Sequence, residues 1–203
     1  MSDSYRWEWR VFAREPAYSA MFTHRDTKNP DQADEIYLLS ALSPHNVKIR
    51  DGCLEIKMLL QTNPAGLQRW RPAASMRFPV DEQTLSTAWR AWGIPSPIVT
   101  RVSCTRQELL DEIVVQEPAL CAVPMTKLRT RIQLQGCAGE FVSLSVLGER
   151  WESIGFESTD PIAILKAVRS LGLENAVNTS YPTALKHIAG FGAVAGPLDE
   201  DAG

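Results

Sequence analysis

Basic side chains recur at alternate positions along several stretches of this sequence. Lys127, Arg129 and Arg131 are the clearest case, because a spacing of two places all three on one face of a strand. Like charges that lie opposite one another destabilise a sheet, so such a concentration requires a compensating anion or a functional reason. Arginine and lysine bind phosphate oxygens through charge-assisted hydrogen bonds. The pattern therefore predicts a basic groove or tunnel for a phosphate-rich ligand.

Twelve cations occupy strand faces of this kind, and nine of them are candidate phosphate ligands. The nine are Arg10, Lys48, Arg50, Lys57, Arg69, Arg71, Lys127, Arg129 and Arg131. The same faces carry only Glu8, Glu55 and Glu157, which predicts a formal excess of nine positive charges on them. The alternative is that each cation faces water, or protects a sheet edge from pairing with another chain.

The hydrophobic pattern predicts an α+β protein with a largely antiparallel sheet, because strands follow one another through hairpins without regular alternation with helices. Strands are predicted at 5–12, 34–40, 46–51, 53–60, 68–80, 98–104, 125–134, 140–147 and 152–158. Helices are predicted at 81–92, 105–115, 160–172 and 179–188. Asp51-Gly52 and Gln135-Gly136 are typical hairpin turns. We expect one domain over 1–191, with a mobile loop at 13–33 and a frayed tail at 192–203.

Composition and charge exclude several classes of protein. The 203 residues are 44% hydrophobic and 22% charged, which is typical of a folded globular chain. The net charge of −3 gives no basic excess of the kind that attracts nucleic acid, so we expect no nucleic-acid partner. No apolar run is long enough to cross a bilayer, and a charged N-terminus argues against a signal peptide. The four scattered cysteines predict reduced thiols, and we expect a cytoplasmic protein.

The ordered set of charged strands resembles the CYTH superfamily, also called triphosphate tunnel metalloenzymes. Members begin with a Glu-x-Glu-x-Lys strand and continue with a basic hairpin, a Lys-x-Arg strand, a late strand that ends in glutamate, and a Ser-Tyr before a short helix. The matching positions in this chain are Arg6, Glu8 and Arg10, then Lys48, Arg50 and Lys57, then Lys127 and Arg129, then Glu157, and finally Ser180 and Tyr181.

This resemblance implies an antiparallel barrel whose tunnel holds a triphosphate, with Mg²⁺ or Mn²⁺ bound by carboxylates. It assigns Glu8 and Glu157 as the candidate metal ligands. Three positions depart from the family pattern, because Arg6, Ser143 and Gly155 stand where members carry acids. Glu140 is placed on the opposite strand face from Ser143 and is not counted as a ligand.

Two functions follow from these expectations. The first is binding of a triphosphate or polyphosphate in a basic tunnel, with Mg²⁺-dependent hydrolysis as its enzymatic form. The second is a non-catalytic tunnel domain that binds a phosphorylated ligand or an acidic partner, which the missing carboxylates favour. No catalytic residue is assigned, no membrane partner is expected, and homodimerisation is left open.

Overall fold

Eight antiparallel strands close into a barrel in the computed structural model, which describes residues 5–22, 30–96 and 102–192. The barrel order is β1-β10-β9-β8-β2-β3-β4-β5, and β5 pairs with β1 to close it. The barrel strands are β1 (Arg6–Arg14), β2 (Asp31–Ser40), β3 (Asn46–Arg50), β4 (Cys53–Thr62), β5 (Gln68–Arg77), β8 (Leu120–Leu134), β9 (Cys137–Val146) and β10 (Glu149–Ser158). The short strands β6 (Val80–Asp81) and β7 (Ser103–Cys104) pair with each other outside it. The predicted α+β class with an antiparallel sheet is confirmed.

Four α-helices lie in the described segments of the chain. They are α1 (Glu82–Trp92), α2 (Arg106–Glu108), α3 (Pro161–Ser170) and α4 (Tyr181–Ile188), and a π-helical segment, Leu109–Val114, continues α2. Asp81 caps α1 by accepting a hydrogen bond from the backbone N–H of Thr84 at 2.8 Å. No helix of the described segments is both long enough and apolar enough to cross a membrane.

Two-residue turns connect the neighbouring strands that form the site. Asp51 and Gly52, between β3 and β4, both have positive φ, of 52° and 73°. That geometry matches the right-handed twist of the flanking strands, and an Asp-Gly pair adopts it at low cost. Gln135 and Gly136 make the equivalent turn between β8 and β9, with φ of 52° and 77°. Both predicted hairpins are therefore present.

The outward-facing side chains of the barrel pack under α1 and α3. Trp92 of α1 lies in one cluster with Leu54 of β4. Ile164 of α3 lies in a second cluster with Trp9 and Ile154 of β1 and β10. These apolar contacts fix which face of each strand points outward, so the alternate side chains must point into the barrel.

The inward-facing side chains change from charged to apolar along the strands. On β8 the inward series runs from Arg131, Arg129 and Lys127 to Met125 and Val123. The same change occurs from Glu8 and Arg10 to Phe12 on β1, from Glu35 to Leu39 on β2, and from Glu140 to Val142 and Leu144 on β9. One half of the barrel interior is therefore an apolar core, and the other half is a polar cavity.

The N-terminal end of α4 closes the apolar half. Ser180 caps the helix by accepting a hydrogen bond from the backbone N–H of Thr183 at 3.3 Å. The Tyr181 ring then packs against the inward-facing rings of Phe12 and Tyr37, with centroids 5.0 and 5.5 Å apart. The interior is therefore a cup whose floor is aromatic.

Several element bounds differ from those predicted. β1 continues to Arg14 and β2 begins at Asp31, so less of 13–33 is loop than predicted. Part of the connection is fastened, because buried Glu152 accepts hydrogen bonds from the backbone N–H groups of residues 17, 18 and 19. β8 begins at Leu120, before the predicted start, and Val123 of this added part packs in the apolar half of the interior. The predicted strand at 98–104 falls partly outside the described residues, and β7 is its described end.

Candidate functional site

A cavity of about 290 Å³ occupies the polar half of the barrel. The strands β1, β2, β3, β4, β8, β9 and β10 all contribute to its wall. Its charged lining residues are Glu8, Arg10, Glu35, Lys48, Arg50, Lys57, Lys127, Arg129, Arg131, Glu140 and Glu157. Seven of the nine predicted phosphate ligands and both predicted metal ligands thus line one cavity.

The three cations of β8 mark the depth of the cavity. The exposed fraction of the side chain falls from 65% at Arg131 to 23% at Arg129 and 8% at Lys127. Both arginines contact Asp31 of the neighbouring strand, with nitrogen to oxygen distances of 3.0 and 2.9 Å. Arg131 therefore lies at the mouth, and Lys127 lies next to the aromatic floor.

Glu35 is the central anion of the floor. It is 3% exposed, and its carboxylate lies 3.1 Å from the amine of Lys48 and 2.8 Å from that of Lys127. Burial alone would raise the pKa of Glu35, but the charges of Lys127 and Lys48 outweigh it and lower this pKa to about 2. The carboxylate is therefore ionised at neutral pH, and it compensates two buried amines.

Lys127 is a buried cation in a strongly perturbed environment. Its amine lies 3.1 Å from the hydroxyl of Tyr37 and 3.6 Å from the centroid of the Tyr181 ring. Burial, followed by the positive charge of Lys48, outweighs Glu35 and lowers the pKa of Lys127 from 10.5 to about 7. The charge of the floor can therefore change near neutral pH.

Arg10 crosses the cavity wall from β1 to β9. Its guanidinium lies 2.6 Å from the carboxylate of Glu140, donates to the Ser153 hydroxyl at 3.0 Å and lies 3.4 Å from Glu8. Arg10 and Glu140 both pair with Gly155, which lies between them on β10. A Cβ atom at Gly155 would clash with the guanidinium, so the missing side chain is what allows Arg10 to reach Glu140.

The two predicted metal ligands face each other at the mouth. Glu8 and Glu157 are directly paired residues of β1 and β10. Each is engaged by a guanidinium, since Arg6 lies 2.7 Å from Glu157 and Arg10 lies 3.4 Å from Glu8. Mg²⁺ prefers six oxygen ligands in octahedral geometry, and no group of three or more Asp, Glu, His or Cys residues in the described chain could hold a metal ion. The residues present therefore do not fit a resident divalent metal.

The charges of the cavity are closer to balance than the sequence predicts. Its lining holds seven cations and four carboxylates, a formal excess of three positive charges. The expected excess of nine counted every strand cation, including Arg101, which lies outside the described residues, and it omitted Glu35 and Glu140. Among the described residues, no carboxylate forms an ion pair with Lys57, which leaves this cavity-lining amine available to a ligand.

Arg69 and Arg71 do not line the cavity. Arg69 instead lies 4.8 Å from the ring centroid of Tyr5 and 5.8 Å from that of Trp7. Arg71 is exposed and pairs opposite Met58, whose side chain packs in the outer core. Two register shifts between β4 and β5 set these faces, and the apolar alternation of the sequence does not reveal them.

Sequence reasoning missed four residues of the site. Glu140, which was set aside, faces inward, whereas Ser143 lies on the other face of β9. Glu35 and Tyr37 alternate with apolar Ile36 and Leu38, a signal that could have placed both on the inner face. Tyr181 forms the floor, and its buried hydroxyl has no hydrogen-bond partner in the described structure.

Comparison with known proteins identifies the fold. No protein-family model matches this chain, and no curated protein sequence matches it either. A solved structure from Hippeastrum, of a candidate adenylyl cyclase described as having a dominant triphosphatase activity, is 9% identical over 96% of this chain and 99% of that one, with a TM-score of 0.54. A candidate adenylate cyclase from Bacillus halodurans is 15% identical, covering 85% and 92% of the two chains, with a TM-score of 0.47. A conserved hypothetical protein from Pyrococcus furiosus is 14% identical, covering 87% and 98%, with a TM-score of 0.48.

The likeness to the Hippeastrum structure and the closed eight-stranded barrel together show that this chain has a CYTH-like tunnel fold. The fold that the resemblance implied is confirmed. Identity this low carries the fold alone, so the ligand and the activity have to be argued from the residues of the cavity.

The buried position of Glu35 predicts a specific dependence of stability on acid. Because the folded pKa of Glu35, about 2, lies below its ordinary 4.5, its contribution to folding is present above pH 4.5 and is lost as the pH falls from 4.5 towards 2. Urea denaturation of wild type and Glu35→Gln should therefore show a steeper acid loss in the wild type. At pH 7 the variant should lose about 3 kcal/mol, since buried Lys127 loses its carboxylate partner and Lys48 keeps only Glu55.

Glu174→Gln provides the matched control, because Glu174 is exposed and lies outside the barrel cavity. Its free energy of unfolding should follow the wild type across the same pH range. Identical acid limbs in Glu35→Gln and the wild type would contradict the role given to Glu35.

Proposed function

We propose that the cavity binds a short linear polyphosphate, of triphosphate type, as its ligand. The observation that carries this proposal is the convergence of seven cations from four strands on one enclosed space. Charge-assisted hydrogen bonds from arginine and lysine to phosphate oxygens are stronger than neutral ones. A linear chain of phosphates fits a deep, narrow space lined by cations, because each phosphate group meets a different depth of the wall.

The cations divide into two groups by depth. Arg131 and Arg129 lie towards the open side and bind the entering phosphates, whereas the buried Lys48 and Lys127 bind the terminal phosphate at the floor. Lys57 adds a cavity-lining amine that no carboxylate of the described residues pairs with. A phosphate at the floor would share these amines with Glu35, so binding draws on the formal excess of three charges. The unpartnered hydroxyl of Tyr181 supplies a further donor at that depth.

The size of the cavity limits the ligand. At about 290 Å³ it lies at the lower end of the range for ligand pockets, which is about 300–1,000 Å³. A phosphate chain can enter such a space and a nucleic-acid duplex cannot, so no nucleic-acid partner is proposed. The triphosphatase activity described for the similarly folded Hippeastrum protein supports the same ligand class. A cytoplasmic location remains part of the proposal, in keeping with four free cysteines, and homodimerisation is left open.

Binding of tripolyphosphate tests the proposal directly. Isothermal titration calorimetry should show a one-to-one complex with the wild type. Lys57→Ala should weaken it by about 10- to 100-fold, the loss expected for one charge-assisted hydrogen bond. Arg129→Ala should weaken it further, because Asp31 and Glu140 then keep their negative charges without this partner.

The control for these variants is Arg71→Ala, which removes an exposed arginine of the same barrel outside the cavity. It should bind tripolyphosphate within about twofold of the wild type, since it shares only long-range charge with the site. Equal losses of affinity in Arg71→Ala and Lys57→Ala, or no loss in either, would contradict the proposal. The strand cations would then be solvated surface charges.

Ligand binding should also change the protonation of Lys127. Its pKa of about 7 rises when a phosphate enters, because the anion favours the charged amine. At about pH 8.5 the free amine is mostly neutral, so binding should take up between about half a proton and one proton. Calorimetry in two buffers of different ionisation enthalpy measures this uptake, and Lys127→Met should abolish it. Unchanged uptake in that variant would assign the proton to another group.

Magnesium-dependent hydrolysis of the same ligand is the second candidate function. The facing pair Glu8 and Glu157 favours it, since two carboxylates and phosphate oxygens could share one Mg²⁺. It requires both carboxylates to leave their arginines, and we therefore expect no phosphate release from tripolyphosphate, thiamine triphosphate or ATP with Mg²⁺ or Mn²⁺. Release by the wild type that disappears in Glu157→Gln would establish hydrolysis instead.

A further inference from the structure

We infer that this cavity binds its polyphosphate without a divalent cation, with the guanidiniums of Arg10 and Arg6 in the place where carboxylates would hold a metal. The inference rests on the proposed function and specifies how that site neutralises its ligand. It concerns the acidic wall formed by β1, β9 and β10, which is the part of the cavity that carries Glu8, Glu140 and Glu157.

Every carboxylate of this wall already has a guanidinium partner. Glu140 lies 2.6 Å from Arg10 and 3.7 Å from Arg129, and Glu157 lies 2.7 Å from Arg6. Glu8 receives the remaining Nε–H of Arg10 at 3.4 Å. A divalent cation would have to displace these arginines and then remain close to their positive charges.

The backbone of β10 leaves the room that Arg10 needs to reach Glu140. Arg10, Gly155 and Glu140 form one row across three adjacent strands, and only a residue without a side chain in the middle lets the outer two meet. The guanidinium is held further by Ser153 and by the ring of Tyr181, whose centroid is 4.6 Å away. At 6% exposed, Arg10 is a fixed positive charge inside the cavity.

Arg6 has the same effect at the mouth. It extends from β1 to the carboxylate of Glu157, whose partner in the strand pairing is Glu8. Arg6 is half-exposed, so a phosphate that arrives from solvent can exchange with Glu157 for this guanidinium. The wall thus presents fixed and exchangeable cations to the ligand and leaves no free pair of carboxylates for a metal.

Two measurements test the inference. In calorimetry, tripolyphosphate should bind the wild type in the presence of EDTA at least as tightly as in the presence of Mg²⁺, because Mg²⁺ competes for the ligand in solution. In electron paramagnetic resonance, the wild-type protein should leave the signal of free Mn²⁺ unchanged. This should hold for protein that has never met tripolyphosphate and for protein from which tripolyphosphate has been dialysed away.

Variants of the arginines supply the reverse result. Arg10→Met should bind Mn²⁺ and quench its signal, because Glu8 and Glu140 are released from their guanidinium. Arg6→Gln, at a half-exposed position where folding is not at risk, should do so more weakly by releasing Glu157 next to Glu8. Arg71→Ala is the control and should leave the signal unchanged.

The outcomes separate this inference from the proposed function. Tripolyphosphate binding that requires Mg²⁺ or Mn²⁺, or loss of the Mn²⁺ signal with the wild type, would overturn the inference and leave the polyphosphate site in place. Failure to bind tripolyphosphate in either EDTA or Mg²⁺ would overturn the proposed function, and the inference with it. Binding in EDTA together with an unchanged Mn²⁺ signal is the expected result.

Discussion

The structure depends on ion pairs between the charged side chains that the barrel encloses. An isolated buried ion costs several kcal/mol, and the inward faces of seven strands place eleven charged side chains around one small space. Glu35 makes this possible, since it is shared by Lys48 and Lys127 at the point where the interior changes from polar to apolar. Without it, Lys127 would lose its ion-pair partner next to the aromatic rings, and Lys48 would keep only Glu55, 3.7 Å away. The fold therefore requires carboxylates inside a cavity whose lining carries more cations than carboxylates.

The same compensation limits how strongly the cavity can hold an anion. A phosphate that enters gains contacts with amines and guanidiniums that already have partners, so its binding free energy is a difference between two sets of ion pairs. Lys57 is an exception, because no described carboxylate pairs with it. A neutral Lys127 also needs less counter-charge from Glu35 than a charged one does. Its pKa of about 7 makes the neutral state accessible near neutral pH. These charges suit the reversible binding of an anion that we propose.

The sequence predicts the parts of this arrangement that depend on local pattern. Lys127, Arg129 and Arg131 alternate without interruption on a regular strand, and a two-residue turn fixes the register of the next strand, so their shared face could be identified. Arg69 and Arg71 follow the same alternation, but register shifts in the pairing of β4 with β5 turn them outward. Such shifts arise from contacts between strands that lie apart in sequence, and local periodicity carries no information about them.

The acidic wall shows how one missing side chain connects the fold with the chemistry. A strand position without Cβ costs some conformational freedom, but at Gly155 it removes the only atoms that would separate Arg10 from Glu140. Once the guanidinium lies there, a metal and an arginine compete for the same carboxylates, and the arginine is attached to the chain. The backbone fixes the local concentration of the Arg10 guanidinium, whereas a metal ion must arrive from solution and lose water from its hydration shell. The cations that neutralise this wall are therefore supplied by the chain itself, as Arg10 and Arg6.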